Sequence, residues 1–430
     1  MKRRTLLGGL LPAILQSETG TEKLADGVTV AGREISLAKP PRGLVLREPL
    51  GLLCHESIDG QLVHRTSKEN LWEVRATVTP KGDFLMMFPE GAHYSKASGK
   101  VNEMIAYRSA DRGKTWRGPE IAFEIDYSQH GFIPLVPRGS KRLYAFGTQP
   151  VASRYSRENG KHENAPIGYR WSDDDGRSWS TVRLIEPAND PGYLGMSVMR
   201  MCETGRGTWI LGTHEADWSV KPLRTRIYLL RSEDRGKTWT LAPGKRPGGW
   251  TTKGFNRMDE VRPICLGGAK LLAMIRTPEG HLWSMRSEDD GRTWSDPAPT
   301  SLIHPDAPPM IFTLSDGKTL AAFHHNRYSL KNYEGLNRSP QVMMDRSEMW
   351  VSFSKDEGRA WSAPRFLFVN ALAATLPDAF FNYQCSYLDA FTDSGTLHMF
   401  VPHRWQRVLH LRMREGDLMN LPEASKIGGS

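Results

Sequence analysis

Cysteine is scarce. The 430-residue chain carries four, Cys54, Cys202, Cys265 and Cys385, far apart and without the short spacings of a metal site. They are expected as small buried apolar residues rather than as a disulfide framework, and no metal or other cofactor is called for. Beyond the N-terminus no apolar run is long enough to cross a bilayer as a helix, so no integral membrane segment is expected there. No long amphipathic helical pattern occurs, and no Lys/Arg tract or basic patch interleaved with aromatics points to nucleic acid. Formal charge is nonetheless +9. Three of those charges, Lys2, Arg3 and Arg4, precede an apolar stretch from Leu6 to Leu15. Residues 1–25 therefore read as an export signal of the twin-arginine type or a disordered basic tail, and the protein as periplasmic or secreted. No small-x-small cleavage site precedes Gly20, which leaves an uncleaved signal as an alternative. The remaining positive excess suits an acidic small-molecule or glycan substrate.

What the chain has is a phrase repeated five times: SADRGKTW at Ser109–Trp116, SDDDGRSW at Ser172–Trp179, SEDRGKTW at Ser232–Trp239, SEDDGRTW at Ser287–Trp294 and SKDEGRAW at Ser354–Trp361. The serines are 63, 60, 55 and 67 residues apart. Each repeat is thus a unit of about four short strands rather than a helical hairpin. The 40 glycines and 28 prolines are spread along the chain, as turns between many short strands require. Within the phrase the aspartate is placed to accept backbone N–H groups, the glycine to take a conformation closed to other residues, and the tryptophan to anchor the turn. Asp111, Asp174, Asp234, Asp289 and Asp356 are therefore expected as structural staples, since the ligand spacing of a calcium loop is missing. Regular repeats argue for one all-β domain over residues 26–430.

The phrase resembles the Asp-box, or BNR repeat, of the sialidase superfamily, over nearly everything from Glu73 to Met413. The resemblance implies a six-bladed β-propeller, with seven blades as the alternative. It also implies a site of three arginines gripping a substrate carboxylate, a tyrosine nucleophile paired with a glutamate, and an aspartate acid/base. EVRATVTPKGDFLMMF resembles the segment of the first arginine and nominates Arg75, with Ala76-Thr77 in place of the family's Ile-Pro. Glu260 and Arg276 match the glutamate and the second arginine at a spacing of sixteen, on a strand expected to end just before the fourth box. Arg346 lies eight residues before the serine of the last box and matches the third. A guanidinium offers a planar fork of donors to a carboxylate and stays charged at any working pH. For the nucleophile, Tyr387 is eight residues before Gly395 and is preferred to Tyr383, twelve before it.

The acid/base departs from the pattern. The matching position, about ten residues before the first box, is Ser98, in a segment without aspartate. Glu103, Glu90 and His93 are the substitutes nearby. His130 stands just before an apolar stretch expected to be the inner strand of the second blade, where an imidazole would titrate near neutral pH. His55, His64, His324 and His325 are read as structural. Three functions are compatible with these residues. The first is a secreted exo-sialidase-like glycoside hydrolase on a terminal acidic sugar, with Arg75, Arg276 and Arg346 on the carboxylate, Tyr387 attacking and Glu260 activating it. The second is a polysaccharide lyase in which His130 and a tyrosine perform β-elimination beside a uronic acid. The third is a glycan-binding propeller without catalysis.

Overall fold

The computed structural model describes residues 22–66, 70–91, 102–125, 131–148, 164–217, 219–220, 223–252, 257–327, 346–373 and 384–427. It is a six-bladed β-propeller. Each blade is an antiparallel sheet whose strands step outward from a central channel. The innermost strands, in blade order, are Arg75–Val78, Ile133–Leu135, Ser197–Val198 with Cys202–Glu203, Asp259–Gly267, Met310–Thr313 and Asp389–Asp393. Neighbouring blades touch through these strands and the next ones all the way round, and the sixth meets the first, so the ring is closed.

Closure comes from the far end of the chain. The outer strand of the sixth blade is Asp59–Arg65, paired antiparallel with Arg407–Arg414. Strands Leu52–His55 and Leu44–Arg47 extend the fifth blade outward, and the hairpin Gly27–Val30 with Arg33–Ser36 packs over that edge. Second strands such as Phe84–Gly91, FLMMFPEG, are buried on both faces because each is covered by the adjacent blades. The rim strand Arg117–Ile125 is largely exposed. The apolar core is accordingly a set of wedges between blades, such as Leu85, Met104, Phe132 and Leu143 between the first and second.

The five boxes join third to fourth strands of blades one to five. In the first, the Ser109 hydroxyl donates to Asp111 Oδ1 at 2.8 Å and accepts the Gly113 N–H at 2.7 Å, while Asp111 accepts the Thr115 N–H at 2.9 Å and its hydroxyl at 2.6 Å. Arg112 and Gly113 lie side by side in the left-handed region, φ +57° and +77°, and the same pair recurs in every box. These contacts hold Asp174 and Asp234 at a pKa of about 2: partial burial pushes upward, and the donors from Ser178 and Thr238 outweigh it.

Candidate active site

An inner strand that starts at one mouth of the channel lies beside the end of its antiparallel neighbour, so residues at those two chain positions share the mouth. Arg75 opens the inner strand of the first blade, Glu260 is the second residue of the fourth, and Tyr387 stands two residues before the sixth. Arg276 ends the second strand of the fourth blade, paired with Asp259. It is followed by a third strand, His281–Ser287, before the box, so the expectation that its own strand leads into the box is corrected. Arg346 stands two residues before the third strand of the fifth blade. All five are buried, and the structure brings them together.

The Tyr387 hydroxyl donates to Glu260 Oε1 at 2.8 Å. Arg276 Nη1 donates to the other oxygen of Glu260 at 2.8 Å and lies 3.3 Å from the tyrosine oxygen. Arg75 Nη1 donates to the Tyr387 carbonyl at 3.0 Å, with its guanidinium 5.9 Å from the centre of the Tyr387 ring. Arg346 Nη1 donates to Gln384 Oε1 at 2.8 Å, and its Nη2 to the carbonyl of Asp306. Each guanidinium is held from behind. Glu73 takes Arg75 Nη2 at 3.0 Å, and Asp306 takes Arg276 Nε at 2.6 Å. Nη2 of Arg276 has no partner among the described residues, which leaves one charged donor for a ligand.

Burial at the mouth shapes the charges. It raises the Tyr387 phenol well above its ordinary value, and the neighbouring Glu260 charge adds to the effect. Burial opposes charge on Arg276, but the carboxylates of Asp306 and Glu260 outweigh it and hold the guanidinium firmly protonated. Arg346, whose neighbours include Arg276, is brought down to about 10, by burial first. Asp306 would be raised by burial, yet Arg257 and Arg276 hold it below the usual carboxylate range. Three non-glycine residues of the site, Glu73, Glu260 and Tyr387, sit at positive φ of 34°, 43° and 63°. Such backbone costs free energy and persists where surroundings over-determine it, as at functional sites. Glu260 is held by one such contact, its N–H donating to Nδ1 of buried His214 at 3.3 Å.

Glu73, Asp306, Gln384 and His214 were missed by sequence reasoning. One signal was available for Asp306: like Tyr387, it lies just ahead of an inner strand, four residues before Met310. Glu73 lies ahead of the strand that Arg75 opens, at positive φ, so no strand alternation marked it. Among the substitutes for the missing aspartate, Glu90 bonds His64 Nε2 at 2.9 Å, and Glu103 pairs with Glu90 across neighbouring strands of the first blade. His93, Ser98, His130 and Tyr383 lie outside the described residues. His324 and His325 are buried among backbone and hydroxyl partners, and His325 Nε2 lies 2.6 Å from the Ser386 hydroxyl, next to Tyr387.

Residues 140–399 match the BNR repeat-like domain. The fold is similar to a crystal structure of a protein of unknown function from Dyadobacter fermentans, with a TM-score of 0.59 at 15% identity over 84% of this chain and 99% of that one. It is also similar to the NanB sialidase of Streptococcus pneumoniae, with a TM-score of 0.56 at 14% identity over 83% and 71% of the two chains. A third similar fold is the intramolecular trans-sialidase of Ruminococcus gnavus, with a TM-score of 0.55 at 14% identity over 84% and 98%. No curated protein sequence matches this one.

Proposed function

The chain belongs to the BNR repeat-like domain family, and from that premise we propose that it is a sialidase-like glycoside hydrolase that removes a terminal acidic sugar from a glycan. The observation that carries the reading is the 2.8 Å hydrogen bond from Tyr387 to Glu260, bridged by Arg276 beside two further buried arginines. Arg75, Arg276 and Arg346 hold the sugar carboxylate. Tyr387 Oη attacks the anomeric carbon while its proton passes to Glu260 and the bond to the aglycone oxygen breaks. The aglycone leaves as an oxyanion that takes a proton from solvent; water then attacks the anomeric carbon and gives one proton back to solvent, and the phenoxide recovers its own from Glu260. A neutral phenol suits an anionic substrate because a carboxylate nucleophile would be repelled. Its raised pKa means that the proton must leave as attack proceeds, which is the task of Glu260.

Position 98 is serine, so the leaving oxygen lacks the carboxylic acid that the resemblance would place there. Protonation of a leaving group is worth roughly 10²- to 10⁴-fold in rate. The expected substrate preference follows: aryl glycosides with good leaving groups turn over far faster than alkyl ones. The test is hydrolysis of the 4-methylumbelliferyl and alkyl glycosides of sialic acid, with a fluorinated sialoside to trap the intermediate. Mass spectrometry should find the adduct on Tyr387, and Tyr387→Phe should lose turnover at least about 100-fold while still binding the carboxylate. No adduct on Tyr387, together with an ultraviolet-absorbing unsaturated uronate released from an acidic glycan, would replace hydrolysis by β-elimination.

A further inference from the structure

The channel holds a second cationic chamber, towards the mouth opposite the arginine cluster. Arg200, between the two short inner strands of the third blade, reaches across the channel. Its Nη2 donates to the Ala76 carbonyl of the first blade at 3.0 Å and to the Asp389 carboxylate of the sixth. Its Nη1 lies 3.4 Å from the Pro134 carbonyl of the second blade. Asp389 Oδ2 also accepts the Ala76 N–H at 2.9 Å. This crossing tie connects the start of the strand that carries Arg75 with the strand that follows Tyr387. It also contributes to the wall of a cavity of about 340 Å³, bordered by Arg200, Cys202, Arg262, Cys265, Thr313 and Thr392.

Arg262 is the unexplained group. It is 4% exposed, and among the described residues it makes no hydrogen bond and no ion pair. Its guanidinium lies over the Phe312 ring at 4.3 Å. A ring face answers part of a guanidinium's charge but none of its N–H donors. Asp389, the carboxylate that acts on it, is already taken by Arg200. Burial draws Arg262 down to about 9, with Arg200 and Arg75 adding to the effect against the pull of Asp389. Native proteins seldom bury a cation without a partner, because the lost hydration is not returned. The cavity is also of the size that takes a small ligand, with mostly apolar walls and a few polar groups.

We propose that this chamber binds a small organic acid of about monosaccharide size, its carboxylate on Arg262 and its body against Phe391 and Ile264. The bidentate fork of Arg262 supplies orientation, and Thr313 and Thr392 line the chamber beside it, the Thr392 hydroxyl donating to Glu415. This site does not depend on the reading of the Tyr387 cluster, since it uses none of its side chains.

Two probes test it on the full chain. Selenate soaked into crystals and located by its anomalous signal should give a peak within hydrogen-bond distance of the Arg262 guanidinium. Glucuronate titrated in a calorimeter should bind with a component that Arg262→Met weakens at least tenfold, a loss appropriate to a charge-assisted contact. Methionine keeps the length and apolar stem of the arginine. Should that variant fail to fold, the selenate result on the unaltered chain decides. Selenate at other arginines but absent from Arg262 overturns the proposal, as does unchanged glucuronate binding by folded Arg262→Met. Selenate at Arg262 without measurable glucuronate binding also overturns it, and marks an adventitious ion only.

Discussion

Asp306 stands between two buried guanidiniums, 2.6 Å from Arg276 Nε and 3.2 Å from Arg257 Nη2, while its backbone carbonyl accepts from Arg346. Removing its charge leaves Arg276 with Glu260 and Arg257 with Asp259, and those two carboxylates must then serve everything. Breaking a buried pair by deleting one partner costs about 3–5 kcal/mol. Asn keeps the shape and the acceptor towards Arg276 but loses the charge and turns an amide N–H towards Arg257, so Asp306→Asn is expected within that range, about 3–4 kcal/mol, as a lower urea midpoint at neutral pH. A change within about 0.5 kcal/mol would show that Glu260 and Asp259 suffice. The arginines and the tyrosine were legible because each sits at a fixed distance from a box or a turn, and Glu260 because it sits sixteen residues before Arg276. Asp306 was not, because it rides on a connection whose length no repeat constrains.

At the scale of the strand and its turns, the boxes were visible because the same turn needs the same residues each time. The aspartate must reach donors two and four residues away, and the backbone must pass through two left-handed residues in succession. The sixth blade is silent for a physical reason. Its third strand ends at Arg414 and its fourth begins at Asp59, so no turn joins them and no box can form. Five boxes therefore imply six blades once the ring closes on a strand from the other end of the chain. That strand, DGQLVHR, carries no distinguishing mark in the sequence, and neither do the two strands that widen the fifth blade. Asp234→Ala removes bonds to Thr238, Lys237 and Ser232 from a turn on the surface. Water replaces part of what is lost at this exposed turn, so the expected cost is about 1 kcal/mol. Chemical denaturation should register it while turnover per folded molecule stays unchanged. A selective loss of turnover would show that the box reaches the far mouth of the channel.

Across the whole molecule, several imidazoles are buried among the described residues. His324 is brought down to about 4 and His325 and His410 to about 3, each by burial first, and His304 and His403 also lie well below the ordinary 6.5. Such groups are neutral in the fold and take up protons only when it opens. Between their folded values and 6.5 the unfolded chain binds more protons, so stability rises with pH there. Their contribution is complete above about 6.5 and is lost as pH falls towards 4 and below. The buried carboxylates act in a lower window: Asp259, Asp306 and Asp389 are held below 3.8 by neighbouring arginines that outweigh burial, so their share persists until the pH falls through that value. Several such groups take up protons over the same range once the fold opens, so the loss they bring as pH falls is cumulative. The urea midpoint, followed by tryptophan fluorescence, is therefore expected to be level from pH 8 to 7 and to decline from about 6.5, before the carboxylates begin to titrate. His324→Gln, which keeps a polar group towards Ser352 and cannot titrate, should lower the plateau and flatten the decline. A midpoint that stays level from pH 7 to 4.5 would mean that the imidazoles accept protons without the blades parting.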